Sequence, residues 1–240
     1  MLGRADIRGA DTPEELAREA ATFISERLAL GLEKRGRASL ALSGGSSPQR
    51  THEILGDIPL AWESIGVSLV DERWVPPGEE GSNADFIRKC FEGRPAARAH
   101  FVPLYNGHDT PADGLDAAEQ AIASLCQPYD VCILGMGMDG HTASWFPYGP
   151  DLAETLSPGN PNRLCAIDAT GQAGAGGYPD RLSLTFSAIA AAQACVLLLP
   201  TAEKFEKFSS VFFEKVESAP VSALSRLEAR LHVFAVGVPS

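Results

Sequence analysis

The chain has 240 residues, 45% of them hydrophobic, enough for one substantial core and short for two independent ones, so a single domain over 1–240 is expected. Its 31 acidic residues against 20 basic ones leave a formal charge of −11, which speaks against nucleic acid or an anionic membrane surface as partner and means that any anionic ligand must be gripped locally. Five cysteines without a CxxC pair read as reduced thiols, the start MLGRADIRGAD lacks an apolar leader core, and no run approaches the roughly 18 apolar residues of a membrane span; a soluble cytoplasmic protein is expected.

Thr12-Pro13-Glu14-Glu15 announces a first helix, with Thr12 as cap, Pro13 at the first helical position and Glu15 completing a capping box. Leu16, Ala20, Ile24 and Leu28 then form its core stripe. After Gly36 the apolar run 38–42 reads as a buried strand that ends in Ser43-Gly44-Gly45. A helix is predicted from Pro48 to about Leu55, with Ser47 as its cap and Pro48 as its first residue. Further buried strands are predicted over 67–70, 131–134, 195–199 and 231–236, and helices over 84–90, 114–125, 202–213 and 221–229. Strands alternating with helices predict an α/β fold with a mostly parallel sheet covered on both faces. The run 171–177, GQAGAGG, reads by composition as a flexible surface loop.

Four segments carry candidate chemistry. Ser43-Gly44-Gly45-Ser46-Ser47 joins a strand to a helix and reads equally as an ordinary glycine turn or as an anion cradle, where unpaired amides and the positive helix end meet a phosphate. Asp71-Glu72-Arg73 closes a buried strand; such charges commonly mark a return to solvent, but they also stand at the carboxyl edge where open α/β sheets place ligands. Ser82 or Asn83, just before a helix, reads as its cap. In the run LGMGMDGHTASWFP, three glycines let the backbone crowd a ligand and deliver Asp139 and His141 to the edge of the strand over 131–134. A lone histidine is most often structural, yet this glycine bed and neighbouring acid favour an imidazole that takes a proton from water. His52, His100, His108 and His232 read as structural or solvated. Arg181 and Lys204 are either surface charges or cations aimed at an anion at the sheet edge.

Taken together, SGGSSP, DERWVP with GSN after it, LGMGMDGHTASWFP and RLSLT resemble the 6-phosphogluconolactonase family over residues 43–204. The resemblance implies a three-layer α/β/α Rossmann-like fold, shared with glucosamine-6-phosphate deaminases and ribose-5-phosphate isomerases. It also implies hydrolysis of 6-phosphogluconolactone in the oxidative pentose phosphate pathway, with no metal and no organic cofactor, by a monomer or small homo-oligomer. By the same resemblance Ser43, Gly44, Gly45, Ser46 and Ser47 form the sugar-phosphate loop, and Asp71 and Arg73 are polar groups over the ring. His141, with Asp139 beside it, is the general base, and Arg181 and Lys204 are substrate-facing cations. Thr201 stands where the family usually has glycine and Ser47 where it commonly has threonine.

Two other readings compete. The related deaminase segment, DGHIAFNEP, carries a catalytic glutamate before the proline, where this chain has Phe146, which cannot move a proton. A non-catalytic sugar-phosphate sensor would normally bring a DNA-binding module, for which length and acidity leave no room.

Overall fold

The computed structural model describes residues 5–239; the first four residues of the stretch read for a leader, and Ser240, lie outside them. The chain opens with β1 (Asp6–Ala10) and α1 (Pro13–Arg35). Thr12 caps α1 by accepting from the Glu15 amide at 3.1 Å, while the Glu15 carboxylate reaches back to the amide of Asp11 at 2.9 Å, one residue before the expected partner. Gly36, at φ 68°, ends the helix by donating to the Leu32 carbonyl, a left-handed cap that a side chain would strain.

β2 (Ala38–Leu42), α2 (Ser46–Asp57), β3 (Ile65–Leu69), β4 (Asp71–Arg73), α3 (Asn83–Phe91) and β5 (His100–Phe101) follow. Next come α4 (Pro111–Ala123), β6 (Val131–Leu134), α5 (Leu152–Thr155), β7 (Leu164–Asp168), β8 (Asp180–Leu184), α6 (Phe186–Ala191), β9 (Ala194–Leu199), α7 (Ala202–Val211) and β10 (Leu231–Val236). Seven strands form one parallel sheet in the order β1-β10-β9-β6-β2-β3-β5. β2, β6 and β9 are buried at every position, because helices cover both faces and leave no side of these strands for polar residues. From β2 the chain runs outward through β3 to β5, then returns to β6 on the other side of β2. The carboxyl ends of β2 and β6 therefore flank a crevice, the place where such sheets bind ligands.

The sequence reading missed a second sheet, antiparallel, in the order β4-β8-β7. Its strands are short, and β4 is wholly charged, so neither an apolar run nor an alternation marks it. α4 begins at Pro111, three residues before the expected start, behind a Thr110 cap that repeats the Thr-Pro signature of α1. The helix expected over 221–229 is instead a 3-10 segment, Pro220–Arg230, broken at Glu228, whose φ of 51° no right-handed helix accommodates. The 171–177 run takes a defined path with a 3-10 turn at Ala173–Ala175. All five cysteines are free and buried. Among the described residues no helix is long and apolar enough to cross a membrane.

Candidate active site

The loop after β2 does not cap α2 as expected. Gly45, at φ 88°, holds the cap position without a side-chain bond, and Ser46, Ser47 and Pro48 are the first three helical residues. Proline is harmless at the third position, where its missing N–H would have had no helical partner. The shift frees the Ser47 hydroxyl, which accepts from Lys204 Nζ at 2.6 Å. Among the described residues, no protein acceptor meets the amides of Gly44, Gly45, Ser46 or Ser47. Ser43 is different: its amide and its hydroxyl both donate to the Ile133 carbonyl, which ties β2 to β6 and leaves that hydroxyl committed to the sheet. Gly44 has to be glycine because a Cβ there would overlap the Asn83 amide.

β3 runs into β4, whose three charges diverge. Asp71 Oδ2 accepts from Ser144 Oγ at 2.7 Å and lies 3.7 Å from Arg181 Nη1. Glu72 turns the other way and is fully buried, accepting from the amides of Arg73, Asn83 and Ala84 at 2.7–2.8 Å. Burial pushes its carboxyl up to about 7 against those amides, which favour the anion. This carboxylate fixes the start of α3 to β4, and Asn83 in turn donates to the Asp71 carbonyl at 2.8 Å. Arg73 donates to the Gly81 carbonyl at 2.5 Å and stands 5.8 Å over the Tyr178 ring. The trio is thus a structural knot with a polar face, and its burial contradicts a simple return to solvent.

The loop after β6 carries the pair Asp139 and His141. Asp139 Oδ1 lies 2.6 Å from His141 Nδ1 and accepts from the His141 amide at 3.1 Å. Burial alone would raise the Asp139 carboxyl, but the hydrogen bond and charge of His141 outweigh it and hold the group below its ordinary value. With a carboxylate accepting at Nδ1, that nitrogen carries the proton and Nε2 presents its lone pair. Gly137 and Gly174 wall the pair on two sides, since a Cβ on either would overlap the imidazole and crowd Asp139. Phe146 closes a third side, its ring centroid 5.0 Å from that of His141, and the Arg181 guanidinium lies 5.2 Å from the Phe146 ring. Replacing Gly137 by alanine therefore displaces the imidazole and should lower kcat by about 10–100-fold with little loss of stability; a variant with the parent kcat would show that the ring has room to spare.

Arg181, on β8, donates to the carbonyls of Tyr178 at 2.9 Å and Ala175 at 2.5 Å, hooking the 171–178 segment over the cavity. Lys204 follows β9, in the first turn of α7 behind a Thr201 cap, and also donates to the Met136 carbonyl at 2.9 Å. Burial lowers both cations from their ordinary values. Ser43, Gly44, Gly45, Ser46, Ser47, Asp71, Arg73, His141, Arg181 and Lys204 all line one cavity of about 220 Å³. Asp139 stands behind His141. The sequence reading missed Ser144 and Gly174 as parts of this site, because each acts through a partner far along the chain and no local pattern marks it, and it grouped Glu72 with Asp71 and Arg73 without its role as the buried anchor of α3.

Among the other histidines, His108 Nδ1 meets Asn106 Oδ1 at 2.8 Å and His232 Nδ1 meets Asp6 Oδ2 at 3.0 Å. His52 is fully buried on α2, and burial lowers it from the usual 6.5 to about 4, so the folded protein keeps it neutral where the unfolded chain takes a proton. Its contribution to stability is complete above pH 6.5 and is lost as pH falls toward 4, by at most about 3 kcal/mol. Denaturant titrations at pH 7 and pH 4.5 should differ less in His52→Gln than in the parent; an equal difference would mean that His52 is not the buried neutral ring described.

A family model described as glucosamine-6-phosphate isomerases/6-phosphogluconolactonase matches residues 11–233. The chain is 39% identical over 226 residues to the 6-phosphogluconolactonase of Rhizobium meliloti, covering 94% of this chain and 95% of that one. The crystal structure of a 6-phosphogluconolactonase from Shewanella baltica superposes with a TM-score of 0.86 at 30% identity, covering 98% of each chain. A monomeric glucosamine-6-phosphate deaminase shares the fold, with a TM-score of 0.74 at 19% identity over 96% of this chain and 97% of its own.

Proposed function

The chain belongs to the glucosamine-6-phosphate isomerase/6-phosphogluconolactonase family, and from that membership we propose that it hydrolyses 6-phospho-D-glucono-1,5-lactone to 6-phospho-D-gluconate, the lactone-opening step of the oxidative pentose phosphate pathway. The observation that carries this reading is the Asp139–His141 pair facing a cavity with three cations, Arg73, Arg181 and Lys204, and with Phe146 against the imidazole in place of a second acid. The substrate phosphate sits on the 44–47 amides with Lys204 beside it. His141 Nε2 takes a proton from water as the water oxygen bonds to the lactone carbonyl carbon. The resulting oxyanion is stabilised by the guanidinium groups. Collapse breaks the bond to the ring oxygen, which leaves as a hydroxyl after taking the proton back from the imidazole, and Asp139 holds the ring in its tautomer throughout.

Amino-sugar isomerisation needs a further acid/base group, and the apolar, buried Phe146 supplies none at that position. A binding protein without turnover would use the same cradle but leave the lactone to its spontaneous hydrolysis. The experiment follows freshly generated phosphogluconolactone with and without the protein. Catalysis above the spontaneous rate is expected, and a progress curve indistinguishable from the background would sink the lactonase reading.

A further inference from the structure

The proposed reaction uses no group from the interior of α2, yet a histidine lies there. His52 is fully buried, and its Nε2 is 2.9 Å from the carbonyl oxygen of Ser43, the residue that leaves β2 for the glycine loop. A carbonyl only accepts, so Nε2 carries the proton. Among the described residues the buried Nδ1 has no partner, so the ring is neutral and has a single donor spent on a single carbonyl. Burying an unpartnered nitrogen is costly, and an aliphatic side chain would fill the space without that cost. What the histidine adds is the bond to Ser43.

We infer that His52 is a positioning residue for the anion cradle: by holding the Ser43 carbonyl it fixes the Ser43–Gly44 peptide so that the Gly44 N–H is presented to the cavity. In a trans peptide the C=O and the following N–H point in opposite directions, so a carbonyl drawn toward α2 turns the Gly44 N–H away from it. Gly44 lines the cavity, and no protein group accepts from its amide among the described residues. Gly44, on one side of this peptide, has no Cβ to resist its rotation, so the orientation is weakly held by local sterics alone. Flipped, it would aim a carbonyl dipole at the anion and repel it. Ser43 is also bound to Ile133 through its amide and hydroxyl, which holds the residue but leaves the carbonyl face to His52.

The inference rests on the phosphate reading of the loop, and the test separates the two. Steady-state kinetics are measured with the phosphorylated and the unphosphorylated lactone for the parent, His52→Leu and His52→Gln. Leucine should raise KM for the phosphorylated lactone by about 10–100-fold, the worth of one hydrogen bond to a charged group, with kcat within about threefold. It should leave kcat/KM for the unphosphorylated lactone unchanged, which a general loss of folded protein would not. Glutamine, whose side-chain amide can donate to the same carbonyl, should restore most of the KM. Unchanged discrimination in His52→Leu, equal losses on both substrates, or glutamine behaving as leucine would each overturn the role of His52 alone. A parent that does not distinguish the two lactones would instead remove the cradle reading beneath it. Should His52→Leu not fold, the unsubstituted protein still decides: titration with inorganic phosphate is expected to move the Gly44 amide proton downfield, and a resonance unmoved at saturation overturns the proposal.

Discussion

Substituting asparagine for His141 is expected to lower kcat by about 10²–10⁴-fold, the usual worth of a general base, while leaving KM and thermal stability close to the parent values. The side chain is only partly buried, and among the described residues its one hydrogen-bonding partner, Asp139, lies two residues away in the same loop, so removing the ring leaves no distant described element unsupported. A variant that kept more than about half the parent rate above background would remove His141 from the reaction. Asp139→Asn tests the other half of the pair. Without the carboxylate the imidazole loses the acceptor that fixes its tautomer, and kcat should fall while KM stays close to the parent value. An unchanged kcat in Asp139→Asn would separate the carboxylate from the reaction.

Removing the phosphate from the substrate should be nearly as severe. Losing even two of the charge-assisted bonds this loop can make, each worth about 1.5–3 kcal/mol, amounts to a fall in kcat/KM of about 10²–10⁴-fold for the unphosphorylated lactone. Part of this should appear in kcat, because binding far from the reacting carbonyl also places it for attack. The amides of Gly44, Gly45, Ser46 and Ser47 and the ammonium of Lys204, already seated on Ser47, are the groups whose bonds would be lost. Equal efficiency on both lactones would leave this loop without a ligand.

Five strands of the central sheet were legible in the sequence because parallel strands buried on both faces are almost wholly apolar, as 131–134, 195–199 and, but for Ser39, 38–42 are, whereas the edge strands β1 and β5 were not read. The helix start at Thr12 was legible through its cap, since the physics there is confined to four residues. The antiparallel sheet was not, because its strands hold together through pairing such as Arg73 with Arg181, over a hundred residues apart in the chain. The candidate site divides in the same way. Its glycines and His141 stand out as a local pattern, and the family resemblance supplied the cations. Glu72 could not be read as the anchor of α3, nor Gly174 as a wall for His141, without the fold that brings them there.

Arg181 is at once the counter-ion of Asp71 and the hook from which Ala175 and Tyr178 hang. A residue with both duties couples two properties that sequence drift would otherwise vary separately. No exchange at 181 can retune the charge of the cavity without also loosening its roof, and no redesign of the roof can discard the hook without stranding a buried carboxylate. Variation that broadens or shifts the range of lactones accepted is therefore channelled away from this position, toward Gln172 and Ala173 in the stretch the hook suspends, since Gly174 admits no side chain beside the imidazole and Gly171, Gly176 and Gly177 hold left-handed conformations.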